Sequence, residues 1–137
     1  MDIVGRVTFH PDAADDLRKL AQTDRRAAAR IVAFFQQAKA DPRIIDSLLV
    51  HDFGTAYSGS PYHIGKWNNF WRVGSDIWIL KFWKAPGSQY RVIYGYVPQT
   101  QQFHVLAVAH RNFDYRPGHP VTARVKRAYE ELRGKRY

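Results

Sequence analysis

The sequence contains no cysteine. A disulfide framework, a thiolate zinc site and a cysteine nucleophile are therefore excluded together. Long apolar runs are also missing. The longest span five residues, such as Val105 to Ala109, against about 20 for a membrane-spanning helix. The opening residues, Met-Asp-Ile-Val-Gly-Arg, lack the apolar run of a signal peptide. The expectation is a cytoplasmic protein with no membrane association. Acidic side chains are scarce in one part of the chain. Residues 53–137 hold 13 basic and 4 acidic side chains, whereas residues 1–52 hold 8 of each. The whole net charge of +9 thus lies after residue 52. Such an excess draws in polyanions and speeds their encounter, although a basic surface with no specific partner reads the same from charge alone.

The length of 137 residues suits a single domain, 1–137, and 45% apolar with 15% aromatic residues is enough to build a core. Residues 3–9 alternate as a strand. His10-Pro11-Asp12 opens a helix whose apolar face is Leu17, Leu20 and Ala21. Thr23-Asp24 caps a second helix to about Lys39, carrying Ala28, Ile31, Val32, Phe35 and Ala38, and Asp41-Pro42 stops it. Residues 43–50 add a short helical turn. Residues 53–65 hold three Gly, two Ser, one Pro and no Asp, Glu, Lys or Arg, which predicts a long loop. Residues 77–84, 90–97 and 103–110 read as three strands joined by turns into an antiparallel meander, with 67–73 as a further strand. A basic helix over 122–133 ends at Gly134. The predicted class is α+β: an N-terminal strand and helical hairpin on a sheet of three to five mainly antiparallel strands, with a C-terminal helix.

Alternation sorts the strand side chains by face. Trp78, Leu80, Phe82, Val92, Tyr94, Leu106 and Val108 are assigned to the face beneath the N-terminal helices. The other face then presents Lys81, Arg91 and Arg111 beside the small residues Gly95, Ala107 and Ala109, with Trp83 alongside. This describes a shallow cationic groove. Like charges repel unless an anion shares the space, and a phosphodiester supplies one. Cations near a scissile phosphate stabilise the charge that builds up in the transition state, and aromatic rings stack bases. The bland reading is that these cations pair with carboxylates or lie in solvent, yet only Asp76, Asp114, Glu130 and Glu131 follow residue 52. None of the six histidines sits in a His-x-x-x-His or Glu-x-x-His pattern, so no metal or cofactor is expected. His104 and His110 are assigned to the bulky face as structural residues, with His110 near enough to the strand end to serve as an acid or base.

The run Ile77-Trp78-Ile79-Leu80-Lys81-Phe82, then Tyr90-Arg91-Val92-Ile93-Tyr94, then Val105 through Arg111 with Asp114-Tyr115, resembles the RelE/ParE toxin superfamily. The resemblance covers residues 4–115 and leaves 116–137 as an extension. It implies the toxin of a type II toxin–antitoxin module, either a RelE- or HigB-like endoribonuclease that cleaves mRNA on the ribosome by 2′-hydroxyl attack, or a ParE-like inhibitor of DNA gyrase. For the first it implies Lys81, Arg91, Arg111 and Tyr115 as catalytic residues. Arg91 and Arg111 would stabilise the phosphate and the transition state. Lys81 would help activate the 2′-hydroxyl or share charge, and Tyr115 would orient or stack. Trp83, Lys84 and His110 are assigned to RNA binding. It further implies a cognate antitoxin, whose acidic segment would cover the cations or displace the final helix. Ile79 occupies a position often charged or polar in that superfamily, which keeps open a third reading, a nucleic-acid-binding protein without catalysis.

Overall fold

A computed structural model describes residues 6–134 of the chain; residues 3–5 of the expected first strand lie outside them. Strand β1 (Val7–Phe9) is followed by helices α1 (Pro11–Thr23), α2 (Arg25–Ala40) and α3 (Pro42–Ser47), then β2 (Tyr62–Lys66) and α4 (Asn68–Trp71). Strands β3 (Ile77–Phe82), β4 (Tyr90–Val97) and β5 (Gln102–His110), a 3-10 turn (Arg111–Phe113) and helix α5 (Pro120–Gly134) complete the order. The five strands form one mixed sheet in the order β1-β5-β4-β3-β2, parallel between β1 and β5 and antiparallel elsewhere. This is the expected α+β architecture.

The helix starts follow local chemistry. The His10 ring accepts from the Asp12 amide ahead of Pro11, and Asp24 accepts from the Ala27 amide at 3.1 Å. Asp41 caps α3 through the Arg43 amide at 3.0 Å. The small and apolar residues Ala13, Leu20, Ala27, Ile31, Phe34 and Phe35 then bury against Trp78, Leu80, Phe82, Val92 and Tyr94, as the alternation predicts.

Four expectations are corrected. Residues 67–73 are not a strand: Trp67 and Phe70, three residues apart, bury together while Trp71 packs on Trp78, and Asn68–Trp71 is the short helix α4. Residues 53–65 are not wholly loop, because Tyr62–Lys66 forms β2 along β3. Tyr62 and Ile64 alternate into the first core there, but Ser60, Pro61 and Gly65 hide so short a strand in the composition.

The third correction concerns phase. A register shift pairs Ile93 with Ala107 but Tyr94 with Val105, so Leu106 is the extra residue of a bulge. Leu106 therefore joins Ala107 on the opposite face from Phe103, Val105 and Val108. The fourth concerns the groove. Its small residues Gly95 and Ala107 are roofed by α5. A side chain at Gly95 would meet the Tyr129 ring at 2.6 Å. Val125, Ala128 and Tyr129 build a second core with Trp67, Phe70, Ile93, Leu106 and Phe113. The Tyr129 hydroxyl donates to the Tyr96 carbonyl at 2.8 Å and accepts from the Asp76 amide at 3.3 Å. The helix is a core element.

Candidate functional site

Helix α5 covers only part of the second sheet face, and the cross-strand registers show where its cover ends. Gly65, Ile79, Ile93 and Ala107 form one row across four strands, and Ile93 and Ala107 are fully buried in the second core. Ile79 packs against that core, which explains an apolar residue there. The next row is His63, Lys81, Arg91 and Ala109. Here the apolar cover gives way to an imidazole, an ammonium and a guanidinium on adjacent strands, about 5 Å apart as strands pair. Trp83, two residues beyond Lys81, continues the same face. The Lys81 ammonium lies 4.6 Å from the Trp83 ring centroid, a cation–π contact. The Trp83 indole is pinned by a 2.8 Å bond from Nε1 to the Gly54 carbonyl. Gly54 has φ +77°, and a side chain there would collide with the Tyr62 carbonyl oxygen, so glycine is required for that anchor.

The electrostatics mark the row as a place short of negative charge. Burial and then the neighbouring Arg91 guanidinium hold the Lys81 ammonium below its ordinary pKa, with Asp52 acting against them. Arg91 donates from Nη1 to the Ser88 and Tyr90 carbonyls at 3.1 Å each, which anchors the guanidinium but brings it no carboxylate. Tyr115 arrives from beyond β5. Asp114 and Tyr115 both adopt left-handed backbone, at φ 59° and 55°, uncommon for residues with side chains. This turn sets the Tyr115 ring 5.4 Å from Trp67 and 4.6 Å from Phe113. Burial pushes its phenol up in pKa, and the adjacent Arg91 guanidinium pulls it back. Lys81, Arg91, Tyr115 and Trp83 therefore meet around one surface.

The remaining candidates fall elsewhere. Arg111 is not on the strand face: it opens the 3-10 turn after β5 and is exposed, its amide bonded to the Gln89 carbonyl at 2.8 Å. His110 lies on the side of α1. Its ring meets Tyr90 edge-on at 5.6 Å and its Nδ1 accepts from the Asn112 amide, a capping role. Lys84 is exposed past the end of β3, where it lines a cleft of about 340 Å³ with Arg30, Ser60 and Trp83. His104, expected on the bulky face, falls on the other because of the bulge, and its Nδ1 is 2.9 Å from the Thr8 hydroxyl.

His63 and Asp52 were not singled out by sequence reasoning. His63 Nε2 lies 2.9 Å from Asp52 Oδ1, and the ring meets Trp83 edge-on at 5.7 Å. Once β2 is recognised, the alternation Tyr62-His63-Ile64 reveals His63 on the cationic face. Among the described residues, no group of three or more His, Asp or Glu side chains could hold a metal ion, and no helix is long and apolar enough to cross a membrane. Compared with family models, curated proteins and solved structures, the chain matches none.

Proposed function

We propose that this protein is an RNA endonuclease of the RelE/ParE toxin type, acting on mRNA by attack of a 2′-hydroxyl on the adjacent phosphate. The observation that carries the reading is the Lys81–Arg91 pair on neighbouring strands: two cations, no carboxylate among the described residues bonded to either, and aromatic rings on both sides. Such a surface is short of one anion. A phosphodiester fits between the cations, and Trp83 offers a face to a base. Arg91 and Lys81 stabilise the charge of the pentavalent phosphorus, and Tyr115 orients Arg91. Arg111 and Lys84, both exposed, extend the path for the RNA backbone. An antitoxin with an acidic segment would neutralise the protein by covering this open row. Displacement of α5 is disfavoured, because Val125, Ala128 and Tyr129 are buried.

The test is cleavage of single-stranded RNA by the purified protein, with and without ribosomes. Products ending in 2′,3′-cyclic phosphate are expected, and both Lys81→Ala and Arg91→Ala should lower the rate about 100-fold or more at unchanged folding. Full activity in the double variant would sink the reading. Growth arrest without RNA cleavage, accompanied by loss of gyrase supercoiling, would replace it with the ParE-like one.

A further inference from the structure

We infer that His63, oriented by Asp52, is the general base of this reaction and takes the 2′-hydroxyl proton at its Nδ1 atom; the inference rests on the nuclease reading above. Three features of the structure support it. The first is chemical. A carboxylate only accepts hydrogen bonds, so the neutral imidazole bonded to Asp52 must donate from Nε2. That fixes the tautomer and leaves a lone pair on Nδ1.

The second feature is rigidity. Asp52 has φ 63° and its amide donates to the Ile64 carbonyl at 2.8 Å. The carboxylate is thereby tied to the residue next to His63. The ring leans across Gly65, whose missing side chain would sit 3.4 Å from Cε1 and 3.9 Å from Nδ1. The His63 side chain is 19% exposed and that of Asp52 67%, so the imidazole is sheltered against the sheet while its partner faces solvent.

The third feature is position. His63 stands directly opposite Lys81, which stands opposite Arg91. The charged and titratable groups around it are Lys81 from β3, Arg91 from β4, and Asp52 and His51 from the segment before β2. The His63 bond, above all, holds the Asp52 carboxyl below its usual range, so it remains an anion able to stabilise an imidazolium. The lowered Lys81 ammonium is correspondingly a stronger acid.

The step balances. The 2′-hydroxyl proton passes to Nδ1 as the O2′–P bond forms. The P–O5′ bond then breaks, and the departing 5′-oxygen takes a proton from Lys81. Solvent returns both groups to their starting states, leaving a 2′,3′-cyclic phosphate and a 5′-hydroxyl.

A merely structural pair would staple residues 51–54 to β2 and affect folding alone, so the experiment reads chemistry separately from binding. Single-turnover cleavage of a short RNA is measured from pH 5 to 9, beside binding of the same RNA carrying a 2′-deoxy sugar at the cut. The wild-type rate should rise with pH. His63→Gln should lose about 100-fold in rate, bind the deoxy RNA within threefold of wild type, and lose that rise. Asp52→Asn should lose about tenfold. A wild-type profile with no rise overturns the inference without any variant. A His63→Gln rate within threefold of wild type overturns it too, as does a rate loss matched by an equal loss of binding. In each of these cases the nuclease reading survives. If the wild type cleaves no RNA, that reading falls and this one with it.

Discussion

The two faces of the sheet are closed to different extents. On the first, α1 and α2 lie over all three central strands, and side chains from Phe34 to Val92 fill one continuous core. On the second, α5 and the aromatic residues near α4 cover the rows of Gly95 and Ile93 and stop. One row further on, the same strands carry His63, Lys81 and Arg91. Hydrophobic burial thus accounts for one face and half of the other. The uncovered half holds what burial would penalise, cations side by side. A fold that needed only stability would have no use for that row.

The largest expected effect breaks the closed half. Tyr129→Ala removes a ring packed on Gly95 and Leu106 and two hydroxyl bonds, and should cost about 3–5 kcal/mol in urea denaturation. Deleting 120–134 should abolish the cooperative transition, because Val125, Ala128 and Tyr129 leave together. A deletion variant that still unfolds cooperatively would mean that α5 is an accessory after all.

An intermediate effect is expected where the two faces are joined. Asp16 on α1 accepts from the Val108 amide at 2.9 Å and from Arg124 on α5 at 2.8 Å. It caps β5 where β1 no longer pairs and anchors the helix of the other face. Asp16→Ala removes the carboxylate from a half-buried guanidinium and leaves a strand amide unpaired, a loss of about 2–3 kcal/mol. Asp16→Ala and Arg124→Ala should be strongly non-additive in a double-mutant cycle, and simple addition would show that no tie exists.

The smallest effect has the opposite sign. Lys81 loses affinity for its proton on folding, through burial and Arg91, so its charged form subtracts from stability. That penalty is present below the folded pKa, which lies under the ordinary lysine value of 10.5, and fades as pH rises to that value. Lys81→Met should therefore raise Tm at pH 7 by about 1–3 °C, with the gain shrinking as pH rises toward 10.5, while cleavage is lost. Lower stability at pH 7 would show that the open row is structural rather than functional.

Much of this was legible in the residues. His10-Pro11, Asp24 and Asp41-Pro42 mark helix starts by chemistry that needs no distant partner. The alternation of Trp78, Leu80 and Phe82 against Lys81 sorts β3 correctly. Strand parity put Lys81 and Arg91 on one face, whereas Tyr115 came only from the family resemblance. Arg111 was misplaced because parity does not say where a strand stops, and Leu106 because a bulge adds a residue without changing the composition.

The sequence by itself determined the α+β class, the helix caps, the one-sided charge and the cations of the central strands, since each depends on neighbours within a few residues. Tertiary structure alone decided that Tyr62–Lys66 is a strand, that α5 roofs Gly95, and that His63 and Asp52 join Lys81 and Arg91. Those outcomes depend on which strand lies beside β3 and on how far a helix reaches across a sheet. Both are settled by packing between segments distant along the chain, where a five-residue strand gains its hydrogen bonds and burial only from its partner.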